Sequence, residues 1–407
     1  MIRLADLIEK NAKDLAALES VNNGKPWAIS QAADLDLAHK CYRFYAGWAE
    51  NIRGRTINIS PGFHAYTQRE AVGVVGQIIP WNFPILMQAW KLAPALAAGC
   101  TVVMKTAEQT PLTALRIAEL VAEAGIPPGV VNIVSGYGDI GAYLARHPGI
   151  DKVAFTGSSE VGYDIMKNSH EKNLKRVTLE LGGKSANIIT KNANLEASLN
   201  QSTMSLFFNA GQCCIAGSRT FVHESLYDEY VKRVAESVKN IKLGMPLDQD
   251  TDQGPLVSKD QFDRVMSYIE KGKKEGAKMI AGGKRHGSKG YFVEPTVFTD
   301  VNDSMTIAKE EIFGPVMSVF KFKDNDEVLK RANESEYGLG AGVMSENARE
   351  LQFFIDGLKS GTVYANCSNV FTAMTTFGGY KDSGIGRELG EEGLNNYLEL
   401  KTVIVKK

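Results

Sequence analysis

The chain has 407 residues, 44% hydrophobic and 23% charged, the proportions of an ordinary globular protein with room for two or three domains and a cleft between them. A formal charge of −1 leaves no basic footprint for nucleic acid or an anionic membrane surface, and no apolar run reaches the ~18 residues of a membrane span. Cys41, Cys100, Cys213, Cys214 and Cys367 are too few and too scattered for a disulfide framework and fit a reducing compartment, for which the cytoplasm is the expectation.

The opening stretch MIRLADLIEKNAKDLAALES carries Leu4, Leu7, Ile8, Leu15 and Leu18 at helical spacing, with charges opposite. Asp6, Glu9 and Asp14 argue against a mitochondrial targeting helix, so a folded amphipathic helix is expected. Residues 54–71 alternate apolar and polar, as a half-exposed antiparallel strand does. From 72 to 182 short β-branched runs at 72–79, 101–105, 130–134, 152–156 and 176–181 alternate with helical patterns. The clearest helix runs from Pro111 to Ala124, with Thr110 as N-cap and Gly125 as stop. This rhythm predicts an α/β fold with a parallel, doubly wound sheet. A second such region spans 194–366, with strands at 219–223, 278–281, 316–320, 339–343 and 362–366. Residues 397–407 alternate again and should pair elsewhere in the chain or with another subunit, because a lone terminal strand has open backbone groups.

Four segments carry chemistry. In FFNAGQCCIAGSR (207–219) two cysteines sit between a helix end and a strand; each alone reads first as a small core hydrophobe, and as a reactive thiol where something lowers its pKa, while adjacent cysteines without a second ligand pair lack zinc spacing, so no metal is expected. In VTLELGGKS (177–185) Glu180 ends an apolar strand, where a carboxylate is either salt-bridged or desolvated toward a general-base pKa. In IIPWNFPILM (78–87) Asn82 lies between Pro80 and Pro84 at a strand carboxyl end, able to donate to a developing oxyanion or only to satisfy a turn. In FTGSSEVG (155–162) Gly157 precedes a helix N-terminus suited to phosphate, without the full glycine fingerprint. Lys105 and Glu108, after the second strand, add an acid that can accept ribose hydroxyls and repel a 2′-phosphate, favouring NAD over NADP.

Together these segments resemble the aldehyde dehydrogenase superfamily, most closely its NAD-dependent cytosolic and mitochondrial branch, over essentially the whole chain. The order Asn82, Glu180, Cys214 and the 34 positions from Glu180 to Cys214 match the family pattern, as do KEEIFGPV (309–316), NESEYGLGAGV (333–343) and FGGYKDSGIGRELG (377–390). The resemblance implies two Rossmann-like domains and a small β oligomerisation element. Residues 1–53 and 72–182 would bind NAD, 183–382 would form the catalytic domain, and 54–71 with 397–407 would supply strands for a homo-oligomer, a tetramer or dimer. Cys214 would be the nucleophile, Glu180 the base and Asn82 the oxyanion donor, with Lys91 and Glu388 moving protons. Ile79, Trp81, Lys105, Glu108, Gly157, Ser158, Gly162, Gln261, Glu311 and Phe313 would hold the cofactor. Phe83, Met87, Trp90 and Phe371 would line a tunnel for an uncharged aldehyde, such as a short aliphatic one or retinal.

Family chains carry a further N-terminal stretch, so the resemblance also raises the expectation of a truncated chain with impaired packing. Two other functions remain open on the residues alone. A cysteine hydrolase would need a histidine partner that the sequence does not single out. A non-catalytic structural role, as in lens crystallins related to the family, would place no demand on the Asn–Glu–Cys trio.

Overall fold

A computed structural model describes all 407 residues. The N-terminal apolar pattern forms two helices, Ile2–Lys10 and Ala12–Asn23, where one was expected. They part at Asn11, whose Nδ2 donates to the Leu7 carbonyl at 2.8 Å and ends the first. Leu4, Ile8 and Leu15 are buried as the spacing requires, while Leu7 and Leu18 are half-buried. Gly24 then turns the chain with φ +87° into a π-helical turn, Ser30–Leu35, and the helix Asp36–Ala49.

The first alternating region forms a six-stranded sheet in the order Gly384–Ile385, Arg176–Glu180, Lys152–Thr156, Val74–Ile78, Thr101–Lys105, Val131–Val134. Its five sequence-legible strands are parallel, as expected. The edge strand Gly384–Ile385 runs antiparallel to Arg176–Glu180 and comes from beyond the second region. From Val74–Ile78 the chain winds outward on one side, then returns to Lys152–Thr156 on the other. The two strands beside this reversal end in the Asn82 and Gly157 turns, so the winding itself sets those turns together.

The helix after the second strand spans Leu112–Glu123, with Gly125 left-handed at φ +81° beyond it. Thr110 does not cap it: its hydroxyl is buried without a partner. The N-terminal helix supplies the cap instead, the Leu112 N–H donating to Asn22 Oδ1 at 3.2 Å.

The second sheet has seven strands in the order Lys278–Ala281, Thr296–Thr299, Val316–Phe322, Arg219–His223, Ala186–Ile189, Gly340–Met344, Thr362–Ala365. All pairs are parallel except the first. Two strands had no counterpart in the sequence reading: Thr296–Thr299, and the fully buried Ala186–Ile189, which lies near the centre of the sheet.

The 54–71 segment splits at a turn through Gly62 into Thr56–Ile57 and Phe63–Ala71. Phe63–Ala71 pairs antiparallel with the terminal strand Leu398–Lys406, from Leu398 opposite Ala71 to Lys406 opposite Phe63. The terminal strand therefore finds its partner within its own chain. Its other edge is open, with Leu400 and Ile404 exposed. No helix is long and apolar enough to cross a membrane.

Candidate active site

A cavity of about 230 Å³ lies where the carboxyl ends of the two sheets meet. Cys214, Glu180, Asn82 and Glu388 line it together. So do Trp81, Gly157, Ser158, Gln261, Glu311 and Phe313, and the apolar Phe83, Met87, Trp90 and Phe371. Lys91 sits behind it against Glu388, and Ile79, Lys105, Glu108 and Gly162 lie outside its walls.

The thiol is presented by an unusual turn. The helix Leu195–Phe207 ends, and Asn209, Ala210 and Gly211 follow with φ of 52°, 55° and 72°. Three successive left-handed residues reverse the chain sharply. Asn209 holds the reversal, its Nδ2 donating to the Gln212 carbonyl at 3.2 Å and the Asn82 carbonyl at 3.0 Å. Gly211 and Gly183 permit close approach: a Cβ on the first would lie 2.1 Å from the Gly314 carbonyl oxygen, and on the second 2.3 Å from that of Cys214. Cys213 is buried, and Cys214 is half-buried and faces the cavity. The hydrogen bond with Cys213, burial, and the carboxylates of Glu311 and Glu180 push the Cys214 thiol well above the ordinary range. These effects favour the thiol over the thiolate, so a nucleophilic role would call for a base or a nearby cation.

Glu180 ends its strand beside Thr156 and Gly384, its carbonyl accepting from the Gly157 N–H at 3.0 Å. The carboxyl is buried and neither oxygen has a hydrogen-bond partner in the protein. Burial, then the Glu388 charge, raise its pKa well above that of a free carboxyl, against the opposing pull of Lys91 and Arg387. The salt-bridged alternative is thus not what the fold builds. Lys91 gives its charge to Glu388 in a buried ion pair and donates to Thr156 Oγ1 at 2.7 Å.

Asn82 is anchored from several sides. Its Nδ2 donates to the Gln212 carbonyl at 3.1 Å, and its own carbonyl receives Asn23 Nδ2 at 3.2 Å besides Asn209. That uses one amide hydrogen and leaves the second. The Cys214 backbone N–H also makes no hydrogen bond within the protein. Two donors thus remain for an oxygen on a carbon bonded to the sulfur.

Toward the other end, Ser158 caps the helix Ser159–Asn168, accepting from the Val161 N–H at 3.4 Å. Gly157 lies too close to the Phe155 ring for a side chain, and Gly162 packs against Leu181 rather than facing the groove. Lys105 Nζ lies 3.2 Å from Glu108 Oε2, and the Ile79 N–H locks onto the Lys105 carbonyl at 3.1 Å. Glu311 Oε1 accepts from the Gly183 N–H at 2.8 Å, and burial pushes its carboxyl up to about 7 despite Lys184 and Arg264 nearby. Gln261 lines the cavity and its Nε2 donates 2.7 Å to the carbonyl of Phe313, which is left-handed at φ +58° and meets Trp81 edge-on at 5.2 Å. A capped helix N-terminus, an acid at the second strand end and an aromatic wedge beside the thiol fit a dinucleotide. Gly182 leaves room for the Glu311 carboxylate, since a Cβ there would fall 2.2 Å from Glu311 Oε2.

The aldehyde dehydrogenase family pattern matches residues 1–403. The chain belongs to the aldehyde dehydrogenase family. It is 57% identical to the mitochondrial aldehyde dehydrogenase of Rattus norvegicus over 100% of this chain and 78% of that one. It is 52% identical to human retinal dehydrogenase 2 over 99% and 78%. The NAD+ complex structure of an aldehyde dehydrogenase from Bacillus cereus superposes with a TM-score of 0.98 at 53% identity, covering 100% of this chain and 82% of that one. Membership gives the enzyme class expected from the motifs, an NAD-dependent aldehyde dehydrogenase, and its cofactor.

The cavity wall also includes residues that the sequence did not single out, Phe208 and Phe377. Trp90 meets Phe371 at 5.7 Å and Phe377 at 5.1 Å, both edge-on, and Phe83 stacks on Phe208 at 5.9 Å. Phe208 and Asn209 belong to the cysteine segment, but nothing in their spacing announces a left-handed reversal. Asn23 is remote in sequence and gave no signal. No histidine lines the cavity, so a cysteine hydrolase would lack its base.

Proposed function

We propose that this enzyme oxidises an uncharged aldehyde to the carboxylic acid through a covalent thioester on Cys214. One observation carries the reading: a buried, unpaired Glu180 carboxyl and the free donors of Asn82 and Cys214 face the same cavity as the thiol. In it, Cys214 sulfur bonds to the aldehyde carbon while its proton leaves through Glu180 or solvent. The Asn82 amide and the Cys214 N–H receive the negative oxygen of the resulting thiohemiacetal. NAD, when bound, supplies the acceptor for the hydride lost from that carbon. Glu180 then removes a proton from water, hydroxide adds to the thioester, and the thiol departs from the acid product. The Lys91–Glu388 pair beside Glu180 gives that proton an outlet.

Residues 1–53 and 72–182 hold the dinucleotide in this reading, and 183–382 carry the thiol. Glu311 and Phe313 hold the nicotinamide ribose and ring, with Gln261 acting through Phe313. Lys105, Glu108 and Ser158 hold the adenosine end, and Glu108 favours NAD over NADP. The aromatic tunnel walls favour a neutral substrate, since a charged one would be desolvated without a partner. The open edge of Leu398–Lys406, with Leu400 and Ile404 exposed, supports assembly into a homo-oligomer. Five free cysteines suit a reducing compartment such as the cytoplasm.

The test is NADH formation from neutral and quaternary-ammonium aldehydes, with NADP in parallel. Cys214→Ala should abolish turnover and leave NAD binding within about twofold, since the sulfur is the only atom lost from the cofactor's neighbourhood. NADH production at the parent rate in that variant would end the proposal.

A further inference from the structure

The Asn82 turn is held by a segment that lies well over fifty residues earlier in the chain. Asn23 is buried, 5% exposed, at the end of the helix Ala12–Asn23. Its two amide atoms have different partners: Oδ1 accepts from the Lys25 N–H at 2.9 Å, and Nδ2 donates to the Asn82 carbonyl at 3.2 Å. One partner is a donor and the other an acceptor, so the amide has one orientation that satisfies both.

The segment around Asn23 is wedged between the two lobes. Lys25 is fully buried, ion-paired with Asp34, its ammonium 3.8 Å from the centre of the Phe83 ring. Glu19 Oε1 accepts from the Ile85 N–H at 3.1 Å, just past the same turn. On the other side, the Trp27 N–H donates to the Pro246 carbonyl at 2.7 Å, and Gly24 lies where a Cβ would be 3.0 Å from the Pro255 carbonyl oxygen. Two residues farther on, the Val257 N–H donates to Gln212 Oε1 at 3.1 Å, and the Gln212 carbonyl is the acceptor of Asn82 Nδ2. The contacts close a ring from Asn23 through Asn82, Gln212 and the 255–257 loop back to Gly24.

We propose that Asn23 is a positioning residue for the oxyanion donor: with Asn209 it clamps the Asn82 carbonyl from two elements, fixing the peptide whose side chain points at the reacting carbon. This rests on the reading of Asn82 given above. Asn23 touches neither substrate nor cofactor and acts only through Asn82. Its loss lets the Asn82 turn rotate, and the free amide hydrogen leaves the place where the oxygen becomes negative.

The experiment is a double-mutant cycle in the 407-residue chain, reading kcat with a neutral aldehyde at saturating NAD. The variants are Asn23→Ala, Asn82→Ala and the pair. Asn23→Ser, which keeps an acceptor for the Lys25 N–H and is too short to reach Asn82, stands in if the alanine variant does not fold. Asn82→Ala should lower kcat about 10²-fold or more. Asn23→Ala or Asn23→Ser should lower it about tenfold, with KM for NAD and the rate of Cys214 alkylation by iodoacetamide within about twofold of the parent. The double variant should be no slower than Asn82→Ala alone. Unchanged kcat in the Asn23 variants, losses that multiply in the double variant, or a matching fall in alkylation and NAD affinity would each overturn the proposal. If Asn82→Ala itself keeps the parent kcat, the oxyanion reading fails first, and the clamp fails with it.

Discussion

The two ends of the cleft are built on opposite principles. At the reacting end, Glu180 is buried without a hydrogen bond, the Cys214 thiol is pushed up by Cys213, burial and two carboxylates, and Asn82 is fixed through both its carbonyl and its amide. At the end proposed above for adenosine, outside the cavity walls, Glu108 has a side chain 33% exposed, with Lys105 and the Gln109 amide as its partners. Dry, unsatisfied groups are costly in stability but strong in electrostatic effect, whereas wet, paired groups cost little and contribute modestly. Near the thiol the fold leaves both Glu180 oxygens unpaired, whereas Glu108 sits among ordinary surface partners.

The largest effect that contrast predicts comes from Glu180→Gln. The amide keeps the shape and cannot accept the water proton, so steady-state kcat should fall about 10³-fold while the first turnover of NADH persists as a burst. Equal losses in burst and steady state would mean that the buried carboxyl does not act at thioester hydrolysis. A smaller effect concerns pH. Because the Glu180 pKa is raised, and an acid works as a base only when ionised, hydrolysis should rise with pH through an alkaline-shifted midpoint. Lys91 opposes that shift, so Lys91→Met should move the kcat midpoint to still higher pH, and a move toward acid would contradict the electrostatic account. The smallest effect belongs to the wet end. Glu108→Gln should raise KM for NAD about tenfold, bring NADP closer to parity and leave kcat within about twofold. A kcat loss comparable to that of Glu180→Gln would erase the distinction between the ends.

The match between sequence and structure follows the same line. Parallel strands were legible because strands buried on both faces are short β-branched runs, and Thr101–Lys105 and Lys152–Thr156 appear at the predicted limits. Ala186–Ile189 was missed although it lies deep in the second sheet, because ANII follows a Gly-Gly turn and is too short to stand out. The Leu112 helix start was found, yet its cap was assigned to Thr110, the local candidate. Asn22 caps it across the fold, which no local rule could reveal.

The amino-acid order alone determined the family and the α/β winding, and it singled out the thiol, carboxylate and amide proposed for the chemistry, because those depend on residue type at fixed separations. Only the folded chain decided that Glu180 is buried and unpaired by the protein, that Lys91 is engaged by Glu388, that Gln261 hydrogen-bonds the Phe313 carbonyl, and that Leu398–Lys406 pairs with Phe63–Ala71. Those outcomes depend on which groups far apart in sequence exclude water from each other, and burial and partnership are properties of packing rather than of local pattern.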